Sequence, residues 1–554
     1  MFDIYYKKND NSQLFKLFEE NHLENIQNYI PIYKRFFELN ETNYKNINLN
    51  QPYNIVDINP TDDPNKFECT IQSDKQKIKT STFFKYSPLI DPVKFMVGKF
   101  KDVETEHITT LPKLSDNKCD PKVLEPNNSA YVDSFFTYLT SNILHNHRFI
   151  HGLDFYGSFL AIHKKYTIDV IDDIEYLNES KYFRENKNVL FDINIDENLL
   201  FNDTFTRNYR KKLNIDKVIT LDAPELLTDG LFEGVFNCAN IDVSDNIVLK
   251  YSTNIKSNCS TPSSKCSSRS SHSSLDEEQR DNSDGDSEND DDTCSISEYS
   301  LNSDVECTAT IPNFPVQIIC LESMSNTLDS LLYEDIPASE WVSCLFQIIM
   351  MLITYQKMFD LTHNDLHTNN IMFNKTDTKY LIYKYNNKYY KVPTYGRLFK
   401  IIDFGRAIYK YKGKNICSDS FKENGDAATQ YNTEPFYNKN KPLIEPNKSF
   451  DLCRLGCSLY DCFDDIWGDK FDTHPLPQLI NTWCTDDKGR NILYKKCGEE
   501  RYPEFKLYKM IARTVHNHEP TTYIDHEIFS DFKSSKNKIG KRRPINIDEM
   551  PIYT

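Results

Sequence analysis

The stretch His363-Asn364-Asp365-Leu366-His367-Thr368-Asn369-Asn370, with Asp403-Phe404-Gly405 further along, decides how these 554 residues are read. Just before it runs Trp341–Phe359, apolar enough to suggest a membrane span. Ser343, Gln347, Thr354, Gln356 and Lys357 interrupt that run, which predicts a helix buried in protein instead. Asp365 therefore stands in a polar loop after a buried helix. Asp403 follows the strand-like Phe399–Ile402, so its carboxylate emerges at a strand end beside the pliable backbone of Gly405.

Working outward, Val316–Leu321 is an apolar run bounded by Pro315 and Glu322 and predicts a buried strand. Residues 378–402 predict an extended hairpin turning at Asn386-Asn387. Ser129–Asn146 reads as an amphipathic helix with Ser129 as N-cap, followed by a strand over Phe149–Ile162. Residues 53–86 carry short apolar stretches ending in Thr80–Tyr86, a strand closed by Pro88. Residues 12–39 have near-helical spacing broken at Pro31, which predicts one or two helices. Residues 166–251 give mixed signals. Residues 252–310 are rich in Ser, Asp and Glu and poor in apolar residues, the composition of a disordered insertion.

The formal charge of −17 is concentrated in that insertion. Residues 276–306 hold thirteen acidic residues and one arginine, a net −12, which leaves −5 for the rest. Bulk charge thus says little about partners of the folded part. Fifteen cysteines without a CxxC pair read as reduced thiols of a cytosol-like compartment. Cys453 and Cys457 share a helix face but lack further ligands for zinc, so core packing is expected. The first residues show no basic, then apolar, secretory pattern. The expectation is a cytoplasmic protein that binds neither membrane nor nucleic acid.

Phosphoryl transfer needs a metal on the phosphates, a positioned hydroxyl and neutralised charge. Asp365 can accept or orient the proton of an attacking hydroxyl, and Asn370 and Asp403 offer the oxygens that magnesium prefers. The combination resembles the catalytic loop H-R-D-L-x-x-x-N and the D-F-G segment of protein kinases, with the family spacing from Asp365 to Asn370. Asp451-Leu452-Cys453-Arg454-Leu455-Gly456-Cys457 resembles the D-x-W-S-L-G-C helix of that family, with Cys453 where the Trp stands. The chain is most similar to the serine/threonine kinases of giant DNA viruses.

The resemblance implies a bilobal α+β protein-kinase-like fold: an N-terminal helical extension over 1–49, a β-rich N-lobe with long insertions over 50–321, and a mainly helical C-lobe over 322–554. It implies ATP and Mg2+ as cofactors, a protein substrate, Asp365 and His367 in catalysis, and Asn370 and Asp403 on metal. Leu321 takes the gatekeeper position, Glu322 to Met324 supply the hinge backbone, and His363 and Asp451 support the loop. Lys85 in Phe83-Phe84-Lys85 resembles the phosphate-pairing lysine, with Asp133 where the family has a glutamate, a shorter acid with less reach. Lys250, after Gly230–Val235, is the rival. If viral, the protein belongs in host cytoplasm or virion.

Departures from the pattern shape the reading further. No G-x-G-x-x-G occurs, and the first glycine is Gly98. Asn364 replaces the Arg that pairs with an activation-loop phosphate in many relatives, which argues against activation by phosphorylation. His367 replaces the usual Lys, a variant shared with small-molecule phosphotransferases. A pseudokinase or scaffold and a small-molecule kinase therefore stand as alternatives. The acidic insertion is a candidate docking tail for a basic partner.

Overall fold

The computed structural model describes residues 2–8, 10–115, 118–194, 307–540 and 542–554. Lys250, Gly230–Val235 and the acidic insertion from 252 to 306 lie outside them. The insertion was expected to reach 310, but Cys307 is buried and a strand begins at Thr308.

The chain is a mixed α/β protein. Helix α1 (Ser12–Glu19) is followed by strand β1 (Leu23–Gln27), so the expected helical opening is half strand: Leu23 is buried where β1 joins a sheet, and this overrides helical spacing. Strands β2 (Asn54–Pro60), β3 (Lys66–Gln72) and β4 (Lys77–Pro88) form an antiparallel meander, of which the expected strand Thr80–Tyr86 is the later part of β4. Strands β5 (Phe155–Asp169), β6 (Asp192–Asn194) and β7 (Thr308–Glu322) complete the sheet. Its order is β1-β5-β7-β4-β3-β2, with β6 on β7. β7 lies between β5 and β4, which explains its run of buried residues from Phe314 to Leu321.

Helix α2 (Ser129–His147) packs against this sheet and is capped by Asn128, not Ser129: the Asn128 side chain accepts the N–H of Ala130 at 3.0 Å. The helix is also less one-sided than its pattern suggests. Thr140, Ser141 and Asn142 are buried as well, and each donates to a nearby oxygen at 2.8–2.9 Å.

Helix α3 (Ala338–Phe359) is long and apolar enough to cross a membrane, and 89% of its most apolar window is buried inside the protein. The residues that interrupt its apolar run find partners. Ser343 donates to the Pro393 carbonyl, Gln347 accepts from the Phe399 N–H at 3.3 Å, and Thr354 donates to Met350 at 2.7 Å.

Beyond α3, strands β8 (Asn326–Thr327), β9 (Ile371–Lys375) and β12 (Arg397–Ile401) form a three-stranded sheet. Between the last two rises the expected hairpin, β10 (Tyr380–Tyr385) and β11 (Lys388–Pro393). Its turn residues Asn386 and Asn387 both have left-handed φ, 49° and 59°, as a two-residue turn matched to strand twist requires. Helices α4 (Phe450–Trp467), α5 (Pro475–Trp483) and α6 (Lys506–Thr514) follow. α4 and α5 approach closely at Gly456, where a Cβ would lie 2.9 Å from that of Trp483. Cys453, Cys457 and Cys484 pack together in the core beneath.

Candidate active site

Lys85 on β4 pairs in register with Ile319 of β7 and reaches toward α2. Its Nζ lies 2.7 Å from Asp133 Oδ2 and 2.8 Å from Asp403 Oδ1. The short reach of an aspartate at 133 is thus no obstacle. The second oxygen of Asp133 accepts the N–H of Phe404 at 2.8 Å. The Phe404 ring is fully buried, 4.5 Å from the ring of Phe136 on α2 and 5.3 Å from that of His363. These contacts hold Asp403 beside Lys85 although its φ of 61° is unfavourable for a non-glycine residue.

Of the two carboxylates that share Lys85, burial pushes Asp133 up; at Asp403 burial also opposes the charged form, but the Lys85 charge and hydrogen bond together with His363 outweigh it and hold the group below its usual range.

Asp365 lies in the loop after α3. His363 donates its N–H to Asp451 Oδ2 at 2.9 Å, and Asn364 donates its own to Oδ1 at the same distance. The His363 ring bonds the Ile402 carbonyl through Nε2 at 2.9 Å and accepts the Asp365 N–H at 3.3 Å. The loop is thereby tied to the segment that leads from β12 into Asp403. The Asn370 side-chain amide donates to the Asp365 carbonyl at 2.9 Å and lies 3.1 Å from His367 Nε2, and the Asn370 backbone carbonyl accepts the Ile402 N–H at 3.0 Å. His367 Nε2 is 4.0 Å from Asp365 Oδ1.

Asn364, read from the sequence as a departure from the arginine of the resembled pattern, is buried with φ of 66°. It donates to the Arg406 carbonyl at 2.9 Å and accepts from the Tyr431 hydroxyl at 2.8 Å. It fastens the loop to the segment after Gly405. Leu321 and Met324 are both buried, and Leu321 pairs across the sheet with Phe83 and Phe155. The Glu322 carboxylate is engaged by the Lys400 ammonium and the Asp154 N–H.

Three residues about Asp365 escaped the sequence reading. Arg406 Nη1 is 3.7 Å from its Oδ2, the Tyr508 hydroxyl is 2.8 Å from its Oδ1, and Arg454 Nε is 2.9 Å from the Tyr508 hydroxyl. Arg406 directly follows Asp403-Phe404-Gly405, and Arg454 lies one helical turn from Asp451, so both carried a positional signal. Tyr508, 143 residues from Asp365, carried none. Burial opposes the charged form of Asp365, yet Arg406, His367, Arg454 and the Tyr508 hydroxyl together hold its carboxyl well below the usual range.

Asp403 and Asn370 offer a carboxylate and an amide oxygen, Asn370 just before β9 and Asp403 just past the end of its partner strand β12. Among the described residues no three His, Cys, Asp or Glu side chains gather into a metal cage. A magnesium ion that takes one or two protein oxygens and fills the rest of its shell with phosphate and water suits this donor set.

No family model matches the chain. Over 148 residues it is 28% identical to a protein of Acanthamoeba polyphaga mimivirus named "putative serine/threonine-protein kinase", an overlap of 26% of this chain and 34% of that one. The chain thus spans about a third of the length of the curated relative it matches. The likeness is to a kinase, and it extends to a quarter of the chain.

Proposed function

We propose that this chain is a bilobal serine/threonine protein kinase that transfers the γ-phosphate of ATP to protein hydroxyls with magnesium. The observation that carries the reading is Lys85 Nζ lying within 2.8 Å of both Asp133 and Asp403, with Asp403 next to Ile402, whose carbonyl ties it to the loop of Asp365. In it, Lys85 pairs with nucleotide phosphate, and Asp403 and Asn370 hold the metal, which neutralises phosphate charge when bound. Asp365 orients the acceptor hydroxyl and takes its proton. His367, beside both Asp365 and Asn370, donates toward the transferred group. The backbone after Leu321, from Glu322 to Met324, receives the adenine.

The test is γ-phosphate transfer by the full chain to a protein panel in magnesium and ATP, beside Asp365→Asn. The substitution should lower turnover on the order of a hundredfold or more in a chain that still folds. Full activity in the variant overturns the reading, and transfer to free metabolites alone replaces the protein acceptor.

One observation favours a nucleotide-binding scaffold instead. The turn between β2 and β3, Thr61-Asp62-Asp63-Pro64-Asn65, stands where a glycine loop would cover phosphate, and it carries two carboxylates and no glycine. Asp63 is engaged within the turn, accepting the Asn65 N–H at 2.9 Å. Thermal stabilisation by nucleotide without turnover on any acceptor would establish that reading.

A further inference from the structure

Tyr508 lies on α6, yet its hydroxyl meets Oδ1 of Asp365 at 2.8 Å and Nε of Arg454 at 2.9 Å. An arginine side chain has donors only. The hydroxyl must therefore accept from Arg454, and its single proton is left to point at Asp365. The ring is held on both counts: the guanidinium carbons of Arg454 and Arg406 lie 5.1 and 5.6 Å from its centroid, and Phe505 stacks on it at 5.6 Å.

Arg454 is buried and sits one turn beyond Asp451 on α4. One helix thus holds the loop twice. Asp451 fixes the backbone of His363 and Asn364, and Arg454, through Tyr508, reaches the Asp365 carboxylate. A carboxylate turns readily about its last torsion unless its oxygens are held. Here Oδ1 is held by Tyr508, while Arg406 faces Oδ2 at 3.7 Å.

We infer that Tyr508, backed by Arg454, is a positioning residue that sets the orientation of the Asp365 carboxylate toward the acceptor hydroxyl. The inference rests on the phosphotransfer reading above. A second possibility, that Tyr508 plugs the place of the acceptor, gives the opposite kinetics. The support of two guanidinium groups and Phe505 around the ring favours positioning over a plug that must leave at each turnover.

The test is Tyr508→Phe in the full chain, which keeps the ring and removes the donor. Positioning predicts kcat about tenfold lower with the acceptor KM within about twofold. It also predicts an acid limb of the pH profile shifted upward, because a carboxylate that loses a donor is easier to protonate. Arg454→Met should give the same result, and the double variant should add little. Unchanged kcat makes Tyr508 a bystander, and raised activity with a lower acceptor KM makes it a plug; either overturns the inference. Should Y508F fail to fold, R454M carries the same comparison. The Asp365 carboxyl titration, followed by 13C NMR, should move up in Y508F even if the wild type transfers no phosphate. A failure of the phosphotransfer reading therefore remains separate from a failure of this one.

Discussion

Asp133 and Phe404, 271 residues apart in sequence, are joined at 2.8 Å by a hydrogen bond from the Phe404 N–H to one carboxylate oxygen, while the other oxygen holds Lys85. A single buried side chain on α2 thus sets both the lysine and the start of the segment that carries Asp403. Asp133→Asn keeps an acceptor for Phe404 but loses the charge opposite Lys85, whereas Asp133→Ala loses both. The alanine variant should be destabilised by about 3 kcal/mol and the asparagine variant by less, in urea denaturation. Both should bind nucleotide more weakly. An alanine variant as stable as the wild type would show that this link does not hold the site.

Asp451 receives two backbone N–H groups at 2.9 Å and is fully buried. Asp451→Ala leaves both donors without a partner, at a cost of about 3 kcal/mol. Hydrogen exchange at His363 and Asn364 should rise in that variant while exchange in β5 and β7 stays as it was. Uniform exchange across the chain would argue that Asp451 supports the whole fold and not the loop.

The segment after Gly405 is held by fixed carboxylates. Asp419 pairs with Lys122 at 2.7 Å and accepts the Ser129 N–H at 2.9 Å, and Asp426 pairs with Lys94 at 2.8 Å. Ser418 and Ser420 are buried, so neither offers its hydroxyl to a modifying enzyme. Replacing Ser418, Ser420, Thr429 and Thr433 together with alanine should leave phosphotransfer within about threefold of wild type. Lys122→Met, which strands a buried carboxylate, should lower it more. Loss of activity in a folded quadruple variant would instead point to phosphorylation as the trigger.

The pH dependence follows from Asp365. Burial works against its ionisation, but Arg406, His367, Arg454 and Tyr508 prevail and hold its carboxyl low. A carboxyl depressed on folding favours the folded state above its ordinary value near about 4, and that contribution is lost as pH falls toward the depressed value. Asp365 should therefore put no acid limb into the rate between about pH 5 and 8. Arg406→Gln removes the strongest of the opposing charges and should move such a limb upward in a pH–rate profile. An unshifted profile would show that Arg406 does not tune Asp365.

Much of the site was legible because its parts are local. The eight residues from His363 to Asn370 fold into one loop, and the apolar runs at Val316–Leu321 and Phe399–Ile402 become strands that fix its neighbours. Lys85 and Asp133 could be named from a strand and a helix, but their 2.7 Å approach depends on how α2 packs on the sheet, which spacing does not encode. The same holds for Tyr508, which reaches Asp365 only through tertiary packing. Leu23–Gln27 shows the converse: helical spacing yielded to pairing with β5. Ser129 lost the capping position to its neighbour Asn128, an equally good capping residue one place earlier.

Strands β6 and β7 pair at Asn194 with Thr308, so the chain leaves the sheet and rejoins it at adjacent positions. One residue pair thus fixes both the point where the described chain leaves this edge and the point where it resumes. The cost of closing such a loop grows only with the logarithm of its length, by about 0.6 kcal/mol per doubling. That stretch can lengthen, shrink or change composition over evolutionary time with little effect on the register of β7, whose far end carries Leu321 and Glu322.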